Sequence, residues 1–324
     1  MNTDKQGWQP LVSVIIATCN RAEYLKVAID SVLTQTYSNF ELLILDNFST
    51  DHTGEVIASY TDSRIKSIRH LANIGPIANW YYGMHWAAGE YFSILGDDDY
   101  YLPNFIEQRV KAFQRHPEVL IVFSDHDECD ALGVILPKTT VFSYSESKVI
   151  SGEELLRALD NGNRIFQVGS GLQKKEPVVS WWNECVHAGL AFDTAIHVQV
   201  ACRGAAAVIP DRGLVYRRHS NQACASGNMR MILIGYTNAY LEPILYQKTT
   251  QYSDELVNGL LWSLSGLIRH AVHENDLHQA RRLCRLGLVV APFRFNLWLR
   301  LMVASLPLSV VKSLRGIKRR LLIR

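Results

Sequence analysis

The sequence has almost no charge of either sign to spare. Basic and acidic residues number 33 and 31, a net charge of +2, so no global field argues for nucleic acid and none is expected as a partner. Paired cysteines are missing as well. The six cysteines, at 19, 129, 185, 202, 224 and 284, form no CxxC pair, and several sit inside apolar segments such as "IIATCN" and "RRLCRLGLVV". They read as reduced thiols of a cytoplasmic protein. The N-terminal "MNTDKQGWQP" lacks a basic start followed by an apolar run, so secretion is not indicated. Internal repeats and low-complexity tracts are absent too. At 324 residues there is room for one large domain with an appendage, or for two modest domains.

What is present is an alternation. "LVSVIIA" precedes a helix from about Ala22 to Gln35, followed by "FELLILD" and a helix near 52 to 60. The pattern continues through "RIKSIRH", a helix from about Pro76 to Ala88, "EYFSIL", a helix from about Pro103 to Arg115, and "EVLIVFS". Strands separated in this way predict βαβ units and a mainly parallel α/β sheet. "VSVII" and "LLIL" are apolar throughout, as strands covered on both faces are. Between about 125 and 228 the regularity fades into short strands and loops, with helices near "SGEELLRAL" and "DTAIHVQVACRG". From about Met229 the chain turns strongly helical. The expected organisation is an N-terminal extension over 1–10, an α/β domain over 11–228 and an α-helical appendage over 229–324.

One strand-like run, Tyr91 to Leu95, is broken by Gly96 and followed at once by Asp97, Asp98 and Asp99. In an open α/β sheet ligands bind at the C-terminal strand edge, and three mutually repelling carboxylates there raise the energy of the empty site. A divalent cation relieves that repulsion, and all-oxygen donors suit Mg²⁺ or Mn²⁺. From these residues alone, a solvated acidic turn is the plainer alternative.

Several separated segments together resemble the family 2 nucleotide-sugar glycosyltransferases of bacterial cell-surface polysaccharide synthesis, which have a GT-A fold. They are "VSVIIATCNRAEYLKVAIDSVLTQTYSNFELLILDNFSTD", "NIGPIANWYYGMHWAAGEYFSILGDDD", "AFDTAIHVQVACRG" and "YRRHSN", in family order within residues 11 to 221. The resemblance implies a metal-dependent, inverting, hexosyltransferase-like enzyme whose donor is a nucleotide-diphosphate sugar, with a UDP-sugar expected. The acceptor would be a saccharide or lipid-linked. By the same resemblance the nucleotide sugar meets the loop Ala17, Thr18, Asn20 and Arg21, then Asp46, Asn47, Asn79, Asp97, Asp98 and His219. Thr18 and Asn20 alone would also fit turn capping. Asn47 stands where relatives commonly carry a second acid that recognises the base. Asp51 is better explained as a helix N-cap.

Asp97 to Asp99 correspond to the family's DXD element. By the resemblance, Asp97 and Asp98 would lie toward ribose and phosphates, Asp99 would be the metal ligand, and the cofactor would be Mn²⁺ or Mg²⁺. Gly96 replaces a residue that is often acidic. Asp193 is the implied general base, since an acid opens a helix that ends in a Gly eleven residues later, here Gly204. Phe192 replaces the usual acidic neighbour, and a simple N-cap is the alternative for Asp193. His219 matches a His near the closing loop, and Arg217 and Arg218 are further phosphate candidates. Trp181 and Trp182 suit either stacking on an acceptor sugar or internal packing. Asp125, His126 and Asp127 alternate across a strand and are expected to form a solvated turn.

The tail from Phe293 combines Trp298, Leu299, Leu301 and Met302 with Lys312, Arg315, Lys318, Arg319 and Arg320. Arg300 and Pro307 leave no uncharged stretch near the roughly 20 residues of a membrane span. An anionic membrane interface is the expected contact, which would place the protein on the inner face of the plasma membrane. Packing on its own domain, or homo-oligomerisation through the C-terminal helices, is the alternative. Two other functions remain open: a nucleotidyltransferase, against which "ATCNRAEYL" is no Gly-rich basic loop, and a non-catalytic nucleotide-sugar-binding module.

Overall fold

The apolar runs become a sheet covered on both faces. In the computed structural model, which describes residues 7–137, 146–160, 168–220, 222, 229–245, 253–292 and 295–306, the first half is β1 (Val12–Thr18), α1 (Ala22–Leu33), β2 (Phe40–Asp46), α2 (Thr53–Ala58), β3 (Ile65–Arg69), α3 (Pro76–Trp86) and β4 (Tyr91–Gly96). Then come β5 (Tyr100–Tyr101), α4 (Phe105–Arg115), β6 (Ile121–Cys129), β7 (Lys148–Ile150), α5 (Gly152–Asp160), β8 (Leu172–Lys174), α6 (Lys175–Ser180), α7 (Trp182–Cys185), α8 (Phe192–Arg203) and β9 (Ala206–Arg217). Four helices follow: α9 (Met229–Leu245), α10 (Ser253–His273), α11 (Leu277–Val290) and α12 (Phe295–Ser305).

The sheet order is β3-β2-β1-β4-β8-β6-β9-β5, with β7 pairing β9. β3, β2, β1 and β4 run parallel, as the helical crossovers between them require. The short strand β8 then pairs antiparallel with both β4 and β6, so the complete sheet is mixed. Side chains alternate across it. Val12, Val14 and Ile16 pack with α1 and α4 on one face, while Ile15, Leu43 and Leu45 join α3 and α8 on the other.

Ala239 and Tyr240 of α9 and Leu256, Leu260 and Leu264 of α10 belong to that second layer. The first two C-terminal helices therefore share the core of the sheet. α10 then holds α11 through Leu261, Ile268, Cys284 and Leu288. At the other terminus the Tyr37 hydroxyl donates to Pro10 O at 2.6 Å and Trp8 meets Tyr91 edge-on at 6.0 Å, docking the end of the expected extension. Among the described residues five cysteines are free thiols, and no helix is long and apolar enough to cross a membrane. Cys224 and the basic residues from Lys312 to Arg320 lie outside the described residues.

Candidate active site

Parallel pairing brings three strand ends level. Thr18 is in register with Asp46, and Ala17 with Gly96, so the loops after β1, β2 and β4 open on the same edge. Asn47 N donates to Thr18 O at 2.9 Å and ties the first two loops together. Asp46 is buried. Its Oδ1 accepts from Ser49 N at 2.8 Å, whereas Oδ2, 3.5 Å from Arg69 Nε, accepts no hydrogen bond. Thr18 Oγ1 is likewise buried, with its hydroxyl facing the Asp97 carboxylate. A buried polar atom without a full hydrogen bond costs about 1–3 kcal/mol, which makes Asp46 Oδ2 a candidate contact for a polar ligand.

The three asparagines of the expected site shape its walls. Asn20, at a left-handed φ of 55°, accepts at Oδ1 from Thr50 N at 2.7 Å and Asp51 N at 3.3 Å. Asn47 donates from Nδ2 to Asn73 Oδ1 at 2.9 Å and accepts at Oδ1 from Ile74 N at 2.8 Å. Asn79, buried in α3, donates to Leu45 O at 3.0 Å and meets His70 Nε2 at 2.9 Å. Asp51 accepts from Thr53 N at 3.0 Å and from Ala22 N at 3.4 Å, capping α2 and α1 together. Phe48, beside Asn47, was not singled out by the sequence. It has a φ of 66° and is 43% exposed, with the Arg69 guanidinium 6.0 Å from its ring. Holding a bulky residue at positive φ is costly, and its conformation is the signal a sequence does not carry.

The aspartates turn away from β4 through Asp99 N donating to Gly96 O at 3.1 Å. Asp98 Oδ2 is shared between Arg21 Nη1 at 3.2 Å and His219 Nε2 at 2.9 Å. Arg217 anchors the turn from beneath: its N–H donates to Asp99 Oδ1 at 2.8 Å and its Nε to Asp98 O at 2.8 Å. Its guanidinium lies 5.0 Å from the Tyr24 ring, and Tyr24 stands 5.0 Å from the His219 ring. Tyr24 is thus a second residue that the sequence did not flag. Burial, then the Asp98 carboxylate, push Asp97 up to about 7, with the Thr18 hydroxyl and then Arg21 opposing. Burial and Asp98 also hold Asp99 well above the usual carboxylate range.

Gly96 explains how these carboxylates fit. A Cβ there would stand 2.9 Å from Asp99 Oδ2 and 3.0 Å from Asp98 Oδ1, so the missing side chain is the space where the two oxygens converge. Among the described residues no three His, Cys, Asp or Glu side chains form a ready-made metal cage. Two converging hard oxygens instead fit a Mg²⁺-like ion, which ordinarily takes one or two carboxylates and completes its shell with water and substrate phosphate.

Asp193 occupies the first turn of α8, where its Oδ1 accepts from Thr194 N at 2.7 Å. Burial raises it to about 6. The preceding Phe192 is buried, 6.4 Å from Trp80 and 4.9 Å from Trp182, so its aromatic side chain seats α8 against α3. Trp181 lies under the Arg203 guanidinium at 4.8 Å. The expectation of a solvated turn at Asp125, His126 and Asp127 is overturned. All three lie in β6, with Asp125 and His126 buried. Arg212 of β9 pairs with Asp125 at 2.9 Å and with Asp127, which removes the charge that would have required solvent. Arg218 is turned to Glu128, at 2.8 Å from Nε to Oε2, rather than to the aspartate turn.

Residues 13–178 match the family model described as glycosyl transferase family 2. A chain of Rickettsia typhi described as an uncharacterised glycosyltransferase is 39% identical over 108 residues, 33% of this chain and 33% of its own length. This chain thus spans about a third of that relative. A glycosyltransferase of Methanocaldococcus jannaschii, also uncharacterised, is 36% identical over 196 residues, 57% of this chain and 68% of its own. Among solved structures, S. aureus TarS in complex with UDP superposes with a TM-score of 0.63 at 14% identity, covering 94% of this chain and 91% of that one. The TarS complex with UDP-GlcNAc gives 0.59 at 15% identity, with the same coverage. These structures share the fold, mixed sheet and C-terminal helices included.

Proposed function

The chain belongs to glycosyl transferase family 2, and on that premise we propose that it transfers a sugar, with inversion, from a UDP-sugar to a saccharide or lipid-linked acceptor in cell-surface polysaccharide synthesis. The observation that carries the donor assignment is the pair of buried polar atoms, Thr18 Oγ1 and Asp46 Oδ2, at adjoining strand ends. A donor and an acceptor held side by side suit a nucleoside, which offers both. The exposed ring of Phe48 provides a face for the base. UDP in the structurally similar TarS supports uridine as that nucleoside.

Arg21 and His219, already gathered on Asp98, supply cationic and N–H donors for the diphosphate. Asp99, with Asp98, would hold Mn²⁺ or Mg²⁺, which when bound neutralises charge on the departing diphosphate. Asp193 takes the proton of the attacking hydroxyl. Its first-turn position stabilises the carboxylate through the helix dipole, while burial raises its proton affinity, so near neutral pH it is ionised and still basic. The apolar and basic tail supports contact with an anionic membrane surface.

A panel of UDP-sugars tests the reading. The expected result is Mn²⁺-dependent release of UDP from one of them, lost in Asp193→Asn. No turnover and no stabilisation by any UDP-sugar would overturn it.

A further inference from the structure

α3, with the sequence PIANWYYGMHW, contains no Asp, Glu, Lys or Arg. A surface helix normally turns charged residues to solvent. Here the outward positions are Pro76 and Ala78 in the first turn, then Tyr81, 37% exposed, Tyr82, 40% exposed, and His85. The rings are not loose. Tyr81 lies 3.8 Å from the His85 ring and 4.3 Å from Trp182, while Tyr82 stands 5.2 Å from His70 and 6.3 Å from Trp86. The inner side of the helix is equally fixed. A Cβ on Gly83 would lie 2.5 Å from Leu45 Cδ1 and 2.6 Å from Ile15 Cγ2, so α3 rests directly on β1 and β2. Beneath the surface, Trp182 packs 4.9 Å from the buried Phe192, the neighbour of the proposed base Asp193.

We propose that this outer face of α3, with Trp182, is a binding platform for the sugar rings of a saccharide acceptor. The proposal rests on the glycosyl-transfer reading. Pre-ordered aromatic faces offer a flat apolar surface to the C–H faces of a pyranose and lose little side-chain entropy in doing so. The phenol and imidazole edges around them exchange hydrogen bonds with sugar hydroxyls. No Lys or Arg on the helix draws it to anionic lipid, and rings edged by polar groups suit a hydroxyl-rich ligand better than an aliphatic one.

The test uses the full chain on an array of immobilised hexose and N-acetylhexosamine oligosaccharides, with UDP and Mn²⁺ titrated separately by calorimetry. Tyr81→Ala/Tyr82→Ala should reduce glycan binding by about tenfold, the effect of losing two modest stacking contacts. The conservative double variant, Tyr81→Phe/Tyr82→Phe, should retain most of it and shows that the fold is intact. UDP affinity should be unchanged in both. Glycan binding that survives the alanine pair, or a wild-type protein that binds UDP but no glycan, overturns the platform and leaves the donor reading standing. So does an alanine pair that loses self-association or vesicle binding instead. Failure of UDP binding alongside normal glycan binding would count against the donor reading alone.

Discussion

His219 Nε2 lies 2.9 Å from Asp98 Oδ2 across 121 residues of sequence, and Arg21 Nη1 reaches the same oxygen at 3.2 Å, within 3.2 Å of the His219 nitrogen. The two donors converge on a carboxylate at the mouth of the strand edge, where a diphosphate would compete for them. Arg21→Ala or His219→Ala should therefore each weaken UDP binding by about tenfold, the scale of one charge-assisted hydrogen bond. Because they share a partner, the double variant should lose less than the product of the two. Calorimetry measures both, and strictly multiplicative losses would show that the two act independently.

Gly96→Ala tests the space between the carboxylates. The added Cβ meets the carboxylate ends of Asp98 and Asp99 and no backbone atom among its nearest neighbours, so the melting temperature should fall by no more than a few degrees. The two oxygens must separate, and Mn²⁺-dependent UDP affinity should drop by about tenfold or more. Chelation with EDTA should bring wild type down to the variant's level. Equal affinities with metal present would remove Asp99 and Asp98 as the holding pair.

Asp193 makes opposite demands on stability and rate. Its folded pKa, raised from 3.8 to about 6, means that the native state prefers the protonated acid. That contribution to stability is fully present below about pH 4 and is lost as pH rises through about 6. Asp193→Asn should accordingly melt higher than wild type at pH 8, with the gap closing toward pH 4. Turnover should fall roughly 10²-fold or more with UDP affinity kept, and wild-type turnover should decline below about pH 6. A variant with near wild-type rate would reject the assignment, and one that melts lower at every pH would reduce Asp193 to a cap.

The tail can be tested by flotation with vesicles of anionic and of neutral lipid. Full-length protein should float with the anionic vesicles, a chain ending at Leu306 should not, and high salt should weaken the difference. Equal flotation of the two proteins would remove the membrane contact.

Much of this architecture was legible because it is local. The uninterrupted apolar character of Val12 to Ile16 and Leu42 to Leu45 specifies strands covered on both faces, and Gly96 before three acids marks a strand end. Asp51 could be recognised as a cap from its place before a helix. What stayed hidden depends on partners far along the chain. Asn47 occupies a recognisable site position, yet its side chain is committed to Asn73 and Ile74. Arg217 holds Asp99 from 118 residues away. Asp125 and Asp127 looked solvated because nothing near them in sequence neutralises them, whereas Arg212 does so from the parallel neighbour β9. Periodicity likewise shows that α9 and α10 have apolar faces without saying that the sheet's own core receives them.

Asn20 has one more consequence, a kinetic one. Its side-chain oxygen accepts from the amides of Thr50 and Asp51, and its own backbone amide donates to Ser49 Oγ at 2.9 Å, so one residue sutures the loop after β1 to the loop after β2. Together with Asn47 N on Thr18 O, these bonds make the two loops open in a single event. In hydrogen–deuterium exchange the Thr50 and Asp51 amides should then be slow for so exposed a turn, and Asn20→Ala should release both at once while the amides within β1 and β2 keep their protection.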